Sequence, residues 1–256
     1  MLLYRLAPEG FYAAGHGPEA LRLLLSDPWS TLAGEWEWGS EVPPQAVRPL
    51  VPVLPGKIVG VGRNYRQHAA ELGNPMPQEP LLFLKAPSAV IGPGEPIVLP
   101  PESEQVDFEG ELALVVGATL RRAEPAAARA GLFGVCCACD VTARDLQRRD
   151  RTFARAKSFD SFCPLGPAIR LGDEVAGLEV VTRVDGRERQ RGRVADMAWA
   201  PVELLSYVSR FITLEPGDVV LTGTPAGVGP LTDGATLEVE VAGVGVLRHR
   251  VESWRR

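Results

Sequence analysis

The sequence predicts an α+β chain dominated by strands, with few short helices and a small N-terminal domain. Three observations predict it. After residue 56, short apolar runs alternate with turn residues at the spacing of strands. Segments with helical spacing are few and do not alternate regularly with those runs, so a doubly wound parallel sheet is not expected. Prolines at 43, 44, 49, 52 and 55 mark an extended crossing segment. They set a boundary near residue 52, between a first domain of residues 1–52 and a larger one of residues 53–256.

Taken in order, the first part holds PEALRLLLSD, with helix-like spacing, and then Trp29, Trp36 and Trp38. It is too small for a robust core of its own and is expected to pack on the larger domain. Beyond it, KIVGVG, AVIGPG, LALVVG, GVCCACDV, AIRL, LEVVTRV, DVVLTG and ATLEVEVAGVGVLRHRVE read as strands. Asp185-Gly186 is a hairpin signal, because both central positions of that turn need a positive φ. NYRQHAAELG, EPAAARAGL, TARDLQRRD and APVELLSYVSRFI carry helical spacing. No internal repeat or low-complexity segment is present.

The balance of 45% hydrophobic and 23% charged residues is that of an ordinary globular chain. The net charge of −5 does not favour nucleic acid as a partner. The start, MLLYRLAPEGFYAAG, lacks a basic region followed by a long apolar run, and no stretch is apolar enough to span a membrane. Both point to the cytoplasm. One basic stretch, Arg144, Arg148, Arg149, Arg151, Arg155 and Lys157, reads either as a solvated face or as an attractor for a small anionic substrate. Arginines number 24 and lysines three, Lys57, Lys85 and Lys157. A compact ammonium can be buried in ways a guanidinium cannot copy. Cys136, Cys137, Cys139 and Cys163 lack a second ligand pair for zinc and read as small buried hydrophobes.

Four segments can carry chemistry. In VDFEGELALVVG, Asp107, Glu109 and Glu111 are spaced by two, so on a strand they share a face. They sit where an apolar run enters the interior, or else form the exposed end of an alternating strand. Buried carboxylates about 5 Å apart repel by several kcal/mol at intermediate dielectric, so one takes a proton or a cation joins them. Asp140, after the cysteine run, is either a third oxygen ligand or a cap for the helix of TARDLQ, a role for which Thr142 competes. An all-carboxylate site selects Mg²⁺ or Mn²⁺ over zinc or copper.

In VGRNYRQHAAELG, His68 and Glu71 share a helix face, and a carboxylate beside an imidazole raises its basicity. An ordinary surface contact is the alternative. Gly60 and Gly62 mimic a dinucleotide fingerprint, but Tyr65 occupies the third glycine place. Lys157 lies beside Phe159 and Phe162, which would desolvate it. The turn from Gly223 to Gly229 offers backbone N–H groups and the Thr224 hydroxyl to a carboxylate, or is a plain loop.

Together KIVGVGRNYRQHAAE, FLKAPSAVIGPGEPIVLP, VDFEGELALVVG, CDVTARDLQ, AKSFDSFCPLGP and LLSYVSRFITLEPGDVVLTGTPAGVGP resemble the fumarylacetoacetate hydrolase superfamily, from about Lys57 to Glu252. The resemblance implies a β-roll with few short helices and a homodimer. It implies Mg²⁺ or Mn²⁺ on Glu109, Glu111 and Asp140, and a catalytic dyad of His68 and Glu71 on a short helix that closes over substrate. It places Lys157, as a catalytic group, and Gln147 against the reacting oxygen or leaving enolate. Arg63, Asn64 and Thr224 would meet substrate carboxylates. The larger hydrolases of this group have a longer N-terminal domain and a further aspartate ligand. This pattern is closer to the small acylpyruvate hydrolases, oxaloacetate decarboxylases and 2-hydroxyhepta-2,4-diene-1,7-dioate isomerases.

The expected function is therefore an enzyme working through a metal-stabilised enolate on 2-oxo or 2-hydroxy-enol dicarboxylic acids. The leading reading is an isomerase or decarboxylase of aromatic-acid breakdown. Acylpyruvate hydrolysis and oxaloacetate decarboxylation are the alternatives, and a non-catalytic domain that binds a small acid is the alternative from another class.

Overall fold

A computed structural model describes residues 1–29 and 35–255. Its main feature is an 11-stranded sheet. In spatial order the strands are Trp38–Val42, Leu21–Leu24, Phe11–Gly15, Leu2–Leu6, Cys163–Leu171, Leu132–Cys139, Gly110–Val116, Val219–Leu221, Ile58–Gly62 and Leu81–Lys85, with Val90–Ile91 paired beside Cys163–Leu171. A five-stranded sheet runs Arg187–Arg193, Glu179–Val184, Thr236–Val241, Gly245–Ser253, Ile97–Leu99. A three-stranded one joins Thr142–Ala143, Val106–Phe108 and Gly229–Pro230. The helices are short: Arg66–Glu71, Pro125–Ala130, Arg144–Arg149, Ala154–Lys157 and Pro201–Ser209. The chain is thus the strand-rich α+β fold expected.

Every residue of Gly110–Val116 is buried, as are seven of the eight in Leu132–Cys139. Both strands lie inside the sheet with both faces covered, which is why they read as continuous apolar runs. The four cysteines, three on Leu132–Cys139 and Cys163 on the neighbouring strand, are free and fully buried as small hydrophobes. Asp185 and Gly186 turn the hairpin between Glu179–Val184 and Arg187–Arg193 at φ 53° and 73°.

Two local expectations are corrected, and one strand is added to those expected. PEALRLLLSD holds no helix. Leu21–Leu24 is a strand paired with Phe11–Gly15 and Trp38–Val42, and sheet pairing overrides the weak helical preference of its leucines. Leu81–Lys85, not singled out from sequence, is the edge strand beside Ile58–Gly62. VDFEGELALVVG is not one strand. It breaks at Glu109, with Val106–Phe108 in the small sheet and Gly110–Val116 in the large one.

The N-terminal strands extend the large sheet through Leu2–Leu6, whose Leu2 and Leu3 lie opposite Arg170 and Ile169. Tyr4, Leu6, Ala13, Leu21 and Ala168 form a second apolar cluster at this seam. No helix among the described residues is long and apolar enough to cross a membrane.

Candidate metal and catalytic site

The pairing of the two central strands builds the centre of the site. Gly110 lies opposite Cys139, and the Asp140 N–H donates to the Glu109 carbonyl at 2.8 Å, so the ladder runs one residue beyond the strand ends. Asp140 is thereby brought beside Glu109 and Glu111. Carboxylate oxygens of the three residues lie within 4.8 Å of one another, and all three side chains are buried. Asp140 does not cap the following helix: that helix has Ala143 at its N-cap and no side-chain cap, and the Thr142 hydroxyl donates to the Asp140 carbonyl at 2.9 Å.

Asp107 stands apart, because the break at Glu109 places it in another sheet. It accepts from Arg144 Nε at 2.9 Å. Arg144 Nη2 reaches on to Glu109 Oε1 at 2.6 Å. Lys157 Nζ donates to Glu109 Oε2 at 2.8 Å and to Asp140 Oδ2 at 2.5 Å. Lys85 Nζ donates to Asp140 Oδ1 at 2.6 Å. Two of the three lysines therefore serve this cluster, whereas Lys57 is paired with Asp218. Arg144 and Lys157 are the members of the basic stretch buried against the acids, and nothing in the sequence prefers Arg144 to the other arginines.

The electrostatics are uneven. Burial alone would raise the Glu109 carboxyl, but Lys157, then Arg144 and His68, hold it well below the usual carboxylate range. Burial opposes the Lys157 ammonium, yet Asp140 and Glu109 raise it above the ordinary lysine value, so it stays charged. Glu111 forms no ion pair among the described residues, although the charge of Lys157 still favours its ionised form. Its Oε2 accepts the Gly223 N–H at 2.6 Å, and burial, with repulsion from Asp140 and Glu109, pushes its carboxyl well above the usual range.

This donor set fits a hard divalent cation. Three carboxylates supply oxygen only, which suits Mg²⁺ or Mn²⁺. Each oriented carboxylate keeps lone pairs beyond those already used. The acid repelled by its neighbours, Glu111, is the one whose charge a cation would compensate. Glu109, Glu111 and Asp140 would hold such an ion.

A cavity of about 260 Å³ opens over the cluster. It is lined by eight of the ten residues expected at the site: Arg63, His68, Glu109, Glu111, Asp140, Gln147, Lys157 and Thr224. Phe83, Phe153 and Arg148 complete much of the wall. Arg63 is a non-glycine residue at φ 58°, and that left-handed turn aims the chain from the Ile58–Gly62 strand into the His68 helix. The Gln147 carbonyl oxygen accepts from Arg144 Nη1 at 2.6 Å, which leaves its NH₂ as the end that can meet a substrate oxygen.

His68 is buried, and burial lowers its imidazole below the ordinary value, so the ring is neutral at pH 7. Its Nδ1 lies 3.4 Å from Glu71 Oε2, short of hydrogen-bond geometry, and has no other partner. Loose catalytic contacts of this kind are common without substrate. Glu71 lies outside the cavity wall, and its carboxylate accepts the Gly227 N–H at 3.0 and 3.1 Å. The glycine-rich turn thus does hold carboxylates through backbone N–H groups, but they are the protein's own Glu111 and Glu71.

Asn64 is also absent from the wall. Its amide donates to the carbonyls of Trp199 at 3.1 Å and Thr222 at 2.8 Å, and accepts the Trp199 N–H at 2.9 Å. It is fully buried, with both ends of the amide engaged, and ties the Arg63 turn to two other segments. The Thr224 hydroxyl donates to the Gly110 carbonyl at 2.8 Å. Sequence reasoning missed Gln190, which lies in the charged run RERQRGR and meets both Gly110 and Thr224.

Comparison with known proteins gives the family. The family described as fumarylacetoacetate (FAA) hydrolase C-terminal matches residues 57–252. The mitochondrial oxaloacetate tautomerase FAHD2A of Bos taurus is 41% identical over 223 residues, covering 82% of this chain and 71% of that protein. The crystal structure of 5-carboxymethyl-2-hydroxymuconate delta-isomerase from Mycobacterium smegmatis superposes with a TM-score of 0.89 at 39% identity, covering 99% of this chain and all (100%) of the other. That of 2-hydroxyhepta-2,4-diene-1,7-dioate isomerase from Mycobacterium marinum gives 0.89 at 37% identity, with 100% of both chains covered. These relatives are enzymes, which removes the non-catalytic alternative. The chain belongs to the fumarylacetoacetate hydrolase family and is an enzyme of that family.

Proposed function

We propose that the chain is a divalent-metal-dependent isomerase that moves a proton within 2-oxo or 2-hydroxy-enol dicarboxylic acids. The observation that carries this reading is the buried triad of Glu109, Glu111 and Asp140, with Glu111 in no ion pair among the described residues, beneath a cavity that a neutral imidazole faces. A cation bound there supplies positive charge beside the enolate that forms when the substrate loses a proton. His68, neutral and on the cavity wall, is suited to take a proton from the carbon next to the carbonyl and return it elsewhere on the conjugated chain through the ring nitrogen that does not face Glu71. Glu71, 3.4 Å away, would steady the imidazolium that results. Lys157 is held charged and cannot act as the base; it favours developing negative charge on the substrate oxygen. Arg63 and Arg148 on the cavity wall would take the distal carboxylate. The tautomerase and isomerase relatives support proton transfer over bond cleavage.

C–C hydrolysis is the second reading, because the His68–Glu71 pair could also activate water. A panel of oxaloacetate, a 2-hydroxydienedioate and an acylpyruvate, each with Mg²⁺, with Mn²⁺ and with EDTA, separates them. Isomerisation gives an ultraviolet change without a change of mass, abolished by EDTA. Hydrolysis gives pyruvate and a free acid, and decarboxylation releases CO₂. Cleavage of the acylpyruvate with no turnover of the other two would overturn the proposal.

A further inference from the structure

The Val219–Leu221 strand pairs with the central strand only at residues 113–115. Beyond that point the main chain of Leu112 and Gly110 loses its strand neighbour, and a buried backbone N–H or carbonyl must find a partner elsewhere. For Leu112 the partner is Thr222, whose N–H and hydroxyl donate to its carbonyl at 3.1 and 2.8 Å. For Gly110 it is a side chain from another sheet. The Gly110 N–H donates to Gln190 Oε1 at 2.9 Å. Gln190 Nε2 donates to Thr224 Oγ1 at 2.6 Å, and Thr224 Oγ1 donates to the Gly110 carbonyl at 2.8 Å. The three groups close a ring in which both polar groups of Gly110 are taken.

Gly110 separates Glu109 from Glu111, so its N–H and carbonyl belong to the peptide planes that carry those two side chains. The ring is tight: a Cβ on Gly110 would come within 1.9 Å of Thr182 Oγ1, so no side chain can replace it as a spacer. Gln190 also donates to the Pro225 carbonyl at 2.7 Å, on the turn whose Gly227 N–H holds Glu71. It lies on an otherwise exposed strand, where it and Gly192 alone are buried.

We propose that Gln190 is a positioning residue for the cation-binding glutamates: by closing the ring around Gly110 it sets the mutual orientation of Glu109 and Glu111. This rests on the reading of the carboxylate cluster as a divalent-cation site. Removing groups that orient metal ligands typically costs about 10–100-fold in metal affinity. The test is Mn²⁺ binding to the purified chain by calorimetry, with circular dichroism and melting in EDTA as controls for folding. Gln190→Leu is expected to weaken Mn²⁺ binding within that range. Thr224→Ser, which keeps the hydroxyl, binds as wild type, while Thr224→Val weakens. The double variant Gln190→Leu/Thr224→Val is no weaker than the worse single one, because both act through one ring. Arg191→Ala, on the same strand but outside the ring, leaves the affinity unchanged.

Wild-type affinity in folded Gln190→Leu, with or without a lowered melting temperature, overturns the inference. Should Gln190→Leu fail to fold, the threonine pair decides, and equal affinity of Thr224→Val and Thr224→Ser overturns it. If the wild-type chain binds no Mn²⁺, the cation-site reading itself fails and the inference falls with it.

Discussion

Replacing Lys157 by methionine tests the charge arrangement of the site most directly. The change keeps the aliphatic stem and deletes an ammonium that bridges Glu109 and Asp140, with side chains of Lys157, Glu109 and Asp140 only 3%, 6% and 1% exposed. Removing one partner of such a buried pair leaves uncompensated charge and costs about 3–5 kcal/mol. For a chain of this size, that is a fall in melting temperature of roughly 6–20 °C in EDTA. Mn²⁺ at a hundred times its dissociation constant would stabilise the wild type by about 2.7 kcal/mol. The variant gains more, because the cation enters a cluster that has lost one positive charge and compensates the carboxylates left exposed to one another. The gap between the two proteins is therefore expected to narrow when Mn²⁺ replaces EDTA, while turnover of any substrate the wild type accepts is lost. Scanning calorimetry at a fixed scan rate reads both effects. A variant that melts with the wild type in EDTA, or a gap that widens with Mn²⁺, would refute the charge arrangement.

His68→Ala is expected to lose turnover while binding Mn²⁺ as tightly as wild type, measured by steady-state kinetics and calorimetry; full activity would remove His68 from the mechanism. Glu111→Gln gives a pH test. The folded-state carboxyl of Glu111 is raised above 4.5, so its contribution to stability is present below that pH and is lost as pH rises through the raised value. In EDTA, Glu111→Gln should therefore gain on the wild type as pH climbs above about 4.5, and a constant difference across that range would contradict the burial and repulsion assigned to Glu111. The cysteines give a third. Burial pushes the Cys137 and Cys163 thiols up to about 12 and those of Cys136 and Cys139 further. None should react with an aromatic disulfide reagent in the native protein at pH 8, and all four should react in guanidinium; rapid labelling of the native chain would contradict the packing.

Much of the site was legible in the sequence because its chemistry is local in residue type. Glu109 and Glu111 flank one glycine at the mouth of an apolar run, and a run so apolar has to be interior. A shared helix face requires only a three-residue spacing, so His68 and Glu71 could be paired without coordinates. The rarity of lysine singled out Lys57, Lys85 and Lys157 alike, and two of the three serve the cluster while Lys57 pairs with Asp218. What spacing could not reveal was where a strand changes sheets. The break at Glu109 sends Asp107 to Arg144 and leaves only two of the three alternating acids in the cluster. The N-terminal leucines gave a helical pattern, yet their strand was chosen by the open edge of the neighbouring hairpin.

The sequence by itself determined which side chains could make a hard oxygen site and a neighbouring base, because donor type and face-sharing depend on residues a few positions apart. Only the tertiary structure decided what each of them is paired with. It turned the Asn64 amide away from the cavity, left Glu111 on a backbone N–H and outside every ion pair among the described residues, and brought Gln190 from a strand 80 residues away to the glycine between two ligands. Those outcomes depend on which backbone groups lose their strand neighbours and must be answered from elsewhere, a question of sheet pairing over long range that no local pattern encodes.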